Sequence, residues 1–312
     1  VLWKGAADAE HPVSVRCRGD FSRYCHSRVR ENDQAGSSFC VPAVICLKKI
    51  MMCLLFAICR YRKGMVDHMA AFKRYKKDDP VSYSLGITLT FELLRYKTQY
   101  VNKVYVHSSL KEGETYDKLK KICREAGIPI QQTDKIFHVL SQKENCYVIG
   151  EFRKFPGELD AKASHIVLVS PSNAGNMGTI MRSALGFELN QMAIIRPAVD
   201  AFDPKVVRAS MGAIFSTQFQ YFDSFQEYQE QFGDRELYPF MLQAQITLPE
   251  IHPSGTYSLI FGNEATGLPR EFLDIGRSVI IPHSQRIDSL NLPIAASIAM
   301  YAAYSASGAG RD

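Results

Sequence analysis

The 312-residue chain offers little for membrane insertion, disulfide cross-linking or metal binding. Its apolar run IMMCLLFAIC at residues 50–59 is ten residues long, against the ~20 that a membrane-spanning helix needs, and no A-x-A cleavage pattern follows it. None of the eight cysteines forms a C-x-x-C pair, which argues against a zinc site. Six of them (Cys17, Cys25, Cys40, Cys46, Cys53 and Cys59) fall in the first 64 residues, so the main body keeps only Cys123 and Cys146. That body reads as a cytoplasmic protein with reduced thiols. Twenty glycines and 14 prolines are too few for a collagen-like or low-complexity chain, and 46% apolar residues are too many for a wholly disordered one.

A dominant charge of one sign is also missing outside the front of the chain. Residues 1–64 hold 11 basic and 5 acidic side chains, 65–160 hold 16 and 13, and 161–312 hold 10 and 14. A mildly basic middle block beside an acidic final block predicts two domains with different partners. Residues 1–40 show neither helix nor strand periodicity. Three readings of the front segment stand: a signal or anchor, a buried helix, or an extension upstream of the folded protein. The extension is favoured because Met65 opens a charged stretch, MVDHMAAFKRYKKDD, that resembles a natural beginning. Residues 1–64 are accordingly expected to be a disordered extension.

From Gly86 the pattern becomes regular. ITLTFELLRY has helical apolar spacing, VNKVYVHSS alternates like a strand, and YDKLKKICREAG reads as an amphipathic helix stopped by Gly127. IPIQQ is a short strand, TDKIFHVLSQ a helix capped by Thr133, and ENCYVIGEFRKF a strand. Residues 65–160 thus form a small α/β unit. Its basic residues, among them Arg95, Lys97, Lys103 and Lys118, fit either a solvated helix face or a phosphate-contacting surface.

In the final block HIVLVS is a buried-strand run feeding PSNAGNMGTIMRSALGF, a Gly and Asn loop that opens a helix near Asn176. A helix N-terminus after a strand attracts anions. The dinucleotide fingerprint is not met, since only Gly175 and Gly178 stand there and MAIIR ends in Arg196-Pro197 rather than in an acid. A nicotinamide enzyme is disfavoured. SLIFGNEATGLP places a strand before a Gly262-Asn263-Glu264 turn, and SVIIPHSQRIDSLNLPIAASIAMYAAY runs strand, polar loop, Ala-rich helix, with Asn291 able to cap it and Pro293 in its first turn. Two loops converging at two strand ends would make a backbone-lined pocket suited to an adenosine ligand.

Three pieces, NMGTIMR (Asn176 to Arg182), FGNEATGL (Phe261 to Leu268) and IPHSQRIDSLNL (Ile281 to Leu292), resemble in order and spacing the three motifs of the SpoU/TrmH RNA ribose 2′-O-methyltransferases of the SPOUT superfamily. The resemblance covers about 80 to 306. It implies an α/β protein with a parallel-sheet SPOUT domain at 161–312 that carries a deep trefoil knot, preceded by a small α/β RNA-binding domain at 65–160. It also implies S-adenosyl-L-methionine (AdoMet) as cofactor, rRNA or tRNA as substrate, and a homodimer whose partner helps complete each site. AdoMet would lie against the main chain at Gly262, Ile281 and Leu290, with Asn176, Arg182, Glu264, Ser289 and Asn291 around the methyl-transfer centre. Pro293, and His283-Ser284 after Pro282, depart from the residues common in relatives.

On this reading Arg182 forks onto RNA phosphate and stabilises the developing oxyanion, because a guanidinium with a pKa above ~12 is a poor proton acceptor. Asn176 would hold Arg182 or the ribose, and Ser289 with Asn291 would supply hydrogen bonds at the nucleophile. The plainer alternatives are that Asn176 and Asn291 are helix caps, Ser289 a turn residue and Glu264 a surface acid. A catalytically silent RNA-binding protein and a methyltransferase for a non-RNA substrate are the rival functions. The intact Arg182 and Ser289-Leu290-Asn291 argue against the first, and the basic middle block against the second.

Overall fold

Among the described residues two larger sheets, one of mixed and one of parallel strands, and a short two-stranded pair organise the fold. A computed structural model describes residues 72–140 and 145–306. The run at 50–59, the six early cysteines and Met65 lie outside the described residues.

The smaller sheet is built from β1 (Val81–Leu85), α1 (Ile87–Tyr96), β2 (Val101–Val106), α2 (Glu114–Glu125), β3 (Ile130–Gln132), α3 (Lys135–Leu140) and β4 (Val148–Arg153). Its strand order is β1-β4-β2-β3, with only the β2–β3 pair parallel. The apolar spacing of α1 buries Leu89, Leu93 and Leu94. After α2 the chain turns at Gly127, whose φ of 67° is the left-handed conformation that favours glycine. Because α3 starts at Lys135, Asp134 rather than Thr133 stands immediately before it. The Asp134 carboxylate reaches back to accept from the N–H and Oγ of Ser108, at 2.8 and 2.7 Å. Strand β1 escapes a hydrophobic pattern because its two fully buried side chains are Ser82 and Ser84. Their hydroxyls are satisfied by the Phe202 carbonyl and by Thr90 Oγ1.

The larger sheet follows from β5 (His165–Val169), α4 (Ala174–Gly186), β6 (Gln191–Ile195), α5 (Pro204–Ala209), β7 (Gln218–Phe222), α6 (Phe225–Phe232), β8 (Glu236–Pro239), β9 (Ile246–Thr247), β10 (Tyr257–Phe261), β11 (Val279–Ile280) and α7 (Leu292–Ala306). Strands run in the order β7-β6-β5-β10-β8, every pair parallel, while β9 and β11 form a separate parallel pair. All five residues of β5 are buried, as expected for a parallel strand covered on both faces. Helices α4 and α5 cross at Gly178, where a Cβ would stand 2.6 Å from both the Ala209 Cβ and the Val206 carbonyl oxygen. Any larger residue would push the two helices apart.

The two sheets share a buried cluster. Leu93 of α1 and Phe152 of β4 belong to the same apolar core as Met177, Ile180 and Met181 of α4, and a well-buried side chain of this size contributes about 1.5–3 kcal/mol. Lys154 pairs with Asp200 at 2.9 Å across the same junction. Helix α7 lays Ala296, Ala299, Met300 and Ala303 into the core, and Ser297 Oγ donates to Ser183 Oγ of α4 at 2.8 Å. Among the described residues no helix is long and apolar enough to cross a membrane.

Candidate active site

The site gathers where β5, β10 and β11 end, since ligands of parallel α/β sheets lie outside the carboxyl ends of the strands. Beyond β10 the chain makes a closed turn in which Asn263 and Gly267 exchange N–H···O bonds of 3.2 and 2.9 Å. The Asn263 side chain holds the turn from inside, its Oδ1 accepting from Ala265 N at 2.9 Å. Gly267 takes a left-handed φ of 69° to close it. At Gly262 a Cβ would come within 2.2 Å of the Gly267 carbonyl carbon. Glycine is therefore required there by the turn itself, whatever ligand lies beyond.

This turn forms one wall of an open cavity of about 290 Å³. Facing it are Phe240 and Met241 after β8, Ile281 and His283 after β11, and Ser289, Leu290 and Leu292 leading into α7. All three residues expected to hold a cofactor, Gly262, Ile281 and Leu290, line this one space, and so do Glu264 and Ser289. His283 is turned back, its Nδ1 2.8 Å from the Ile281 carbonyl. The cavity offers apolar walls (Phe240, Met241, Leu290) and main-chain polar groups at strand ends, a donor set that fits an adenosine with an attached amino-acid chain.

Asn176, Arg182 and Asn291 lie outside the cavity lining. Asn176 is in the first turn of α4, but Asn173 is the cap: its Oδ1 accepts from Asn176 N at 3.0 Å. Asn176 is left to point its amide elsewhere, and its Nδ2 donates to Glu264 Oε1 at 3.3 Å. Arg182, further along the helix, is exposed, and among the described residues it forms no ion pair. Asn291 precedes α7, and its carbonyl accepts from Ala295 N at 3.0 Å as the first helical bond.

Glu264 is the joint between the motifs. Its carboxylate accepts from Ser172 N (3.1 Å), Ser172 Oγ (2.8 Å), Asn173 N (3.1 Å) and Asn176 Nδ2. Burial would raise its pKa, but these donors outweigh burial and hold it below the ordinary carboxylate range. Beside it Asn263 Nδ2 donates to the Ser170 carbonyl at 2.8 Å, and Ser170 sits at a left-handed φ of 51°, a conformation that costs a non-glycine residue roughly 1–2 kcal/mol. Ser172, Asn173 and Asn263 are site residues that sequence reading missed. The only signal for Asn263 was its place in the Gly-Asn-Glu turn, because its partner is 93 residues away.

Residues 163–301 match the model of the SpoU rRNA Methylase family. A putative tRNA (cytidine(34)-2′-O)-methyltransferase of Listeria innocua is 31% identical over 146 residues, which are 45% of this chain and 86% of that protein. An uncharacterized tRNA/rRNA methyltransferase of Synechocystis is 32% identical over 141 residues, 44% of this chain, and the chain spans about half (52%) of that relative's length. The SpoU methyltransferase AviRb from Streptomyces viridochromogenes, solved in complex with AdoMet, superposes with a TM-score of 0.65 at 19% identity, covering 74% of this chain and 92% of that one. At that identity the likeness is one of fold.

Proposed function

The chain belongs to the SpoU rRNA Methylase family, and on that premise we propose that it is an AdoMet-dependent enzyme methylating a ribose 2′-hydroxyl of structured RNA, rRNA or tRNA. The observation that carries the reading is the Glu264 carboxylate, which joins the cavity turn to the helix bearing Asn176 and Arg182. When bound, AdoMet supplies the electrophilic methyl group. Gly262, Ile281 and Leu290 would hold it against main chain in the cavity.

The chain's own residues then serve the RNA. Exposed Arg182, with no acid partner among the described residues, is available to fork onto a phosphate and to stabilise negative charge growing on the ribose oxygen. Asn176 acts from a fixed position because Glu264 holds its amide. Ser289, exposed in the cavity lining, and Asn291, exposed just before α7, would hydrogen-bond the ribose. Positioning of this kind supplies most of the rate in such transfers.

A homodimer is part of the proposal. The buried alanines of the Ala-rich helix are Ala296, Ala299 and Ala303. Those alanines face the core of the same chain. The outer face instead exposes Ile294, Ile298 and Tyr301, 54, 37 and 59% accessible, at the spacing of one helix stripe. The knot is likewise proposed, supported by β10 inserting between β5 and β8 and by the return of the chain to β8, where Arg277 N donates to the Leu237 carbonyl. Residues 65–160 are assigned as RNA-binding domain and 161–312 as methyltransferase domain. A cytoplasmic location is proposed as well, supported by the free, buried thiol of Cys123.

Mapping 2′-O-methyl sites in total RNA from cells with and without the gene tests the function. The expected result is loss of at least one site; an unchanged map would contradict the proposal.

A further inference from the structure

Where α1 ends, the 3-10 turn Thr98–Tyr100 leads into β2 beside the end of β4. Cations and aromatic rings interleave at this corner. Arg95 Cζ lies 5.0 Å from the Tyr96 ring centroid, Lys97 Nζ 4.7 Å from that of Phe155, and Arg153 Cζ 5.8 Å from that of Tyr100. The Tyr100 and Phe155 rings are 5.3 Å apart, and Arg153 is steadied by a 3.0 Å bond from its guanidinium to the Gln99 carbonyl. Tyr96 is 43% exposed, so much of its ring is open to a ligand.

Among the described residues no acid neutralises Arg95, Lys97 or Arg153, although the neighbouring Lys154 is paired with Asp200 and Lys120 with Asp117 and Glu112. Burial lowers the Lys97 pKa, which marks a cation partly stripped of water with no carboxylate to compensate. A helix C-terminus attracts cations and accounts for Arg95, and Phe155 and Tyr100 also serve the core, but neither explains the open Tyr96 ring among the three cations.

We propose that this corner binds unpaired nucleotides of the substrate RNA, with Tyr96 stacking a base and Arg95, Lys97 and Arg153 holding phosphates. The proposal rests on the methyltransferase reading and deepens it by naming the form of RNA recognised. Base faces are open only in unpaired strands, because a duplex hides them in its own stack. The corner and the methyl-transfer helix share one support: Leu93 and Phe152, next to the corner residues in sequence, pack in the same cluster as Met177 and Met181 of α4.

The test is fluorescence anisotropy with the full chain at one fixed salt concentration, using an oligouridylate of about 12 nucleotides and an RNA duplex of about the same length. Tyr96→Leu and Arg153→Ala are each expected to weaken the oligouridylate by roughly tenfold, Tyr96→Phe to bind like the parent, and Tyr96→Leu to leave duplex affinity unchanged. AdoMet affinity, measured on the same variants, should not move. Oligouridylate binding unaffected by Tyr96→Leu and Arg153→Ala overturns the proposal, as does a duplex bound more tightly than the single strand. If the parent binds the oligouridylate as expected but methylates no RNA, the enzyme reading fails and the nucleotide-binding corner stands.

Discussion

Asn176 Nδ2 donates to Glu264 Oε1 at 3.3 Å, joining the first turn of α4 to the turn that follows β10. Residues 88 positions apart in the chain are thereby tied together, the cavity wall to the first turn of α4.

Glu264→Gln removes the charge from four hydrogen bonds made to Ser172, Asn173 and Asn176. Hydrogen bonds to a charged group are worth about 1.5–3 kcal/mol each, so a loss of at least about 2 kcal/mol of stability is expected, with weaker AdoMet binding. Because the folded carboxyl titrates below its ordinary value of 4.5, its contribution is complete above that pH and is lost as pH falls through the folded pKa. Denaturant melts of parent and variant from pH 7 to 3 check this; parallel profiles would contradict it.

Gly262→Ala places a methyl group 2.2 Å from the Gly267 carbonyl carbon, and the turn must open. AdoMet binding should be lost together with roughly 1–3 kcal/mol of stability. Gly255→Ala, where a Cβ meets nothing within 4 Å, is the matched control and should behave as parent in titration and melting.

His165 is fully buried, with Nδ1 2.9 Å from Tyr228 Oη and Nε2 2.9 Å from the Asp160 carbonyl. Burial lowers its pKa from 6.5 to about 4. The unfolded chain therefore takes up the proton first, and stability should fall as pH drops from 6.5 to 4, by up to about 3 kcal/mol. Urea unfolding over that window tests it: His165→Leu should be less stable at neutral pH but show a flatter profile. An equally steep profile in the variant would assign the slope to other groups.

Ile298→Asp puts a charge in the exposed stripe of α7. Sedimentation should find parent dimers and variant monomers, with methyl transfer lost alongside. A parent that is monomeric and fully active at nanomolar concentration would remove the dimer from the account.

The cavity turn and the start of α4 beside it were legible in the sequence because Gly262, Gly267 and the Asn173 cap are demanded by local geometry. Strand β1 was not, since Ser82 and Ser84 face inward and invert the usual apolar alternation. Strand β8 is four residues long and ends in Pro239, and β9 has two residues, too few for any period, whereas β11, equally short, stood out through the apolar run Val279 to Ile281. The inward turn of the alanines in α7 was equally hidden, because a helix of small apolar residues has little contrast between its faces. The bonds from Glu264 and Asn263 to residues some 90 positions earlier arise only when parallel strands bring two loops together.

The most direct test is a paired measurement on Arg182→Ala: the AdoMet dissociation constant by calorimetry and single-turnover methyl transfer to a responsive RNA at one salt concentration. Arg182 lies outside the cavity lining and is exposed on α4, so AdoMet affinity should be nearly unchanged while transfer falls by about 100-fold or more. Arg182→Lys, which keeps charge but loses the planar fork, should recover part of the rate. Transfer near the parent rate would contradict the catalytic assignment, and equal losses of AdoMet binding and transfer would place Arg182 in the cofactor site instead.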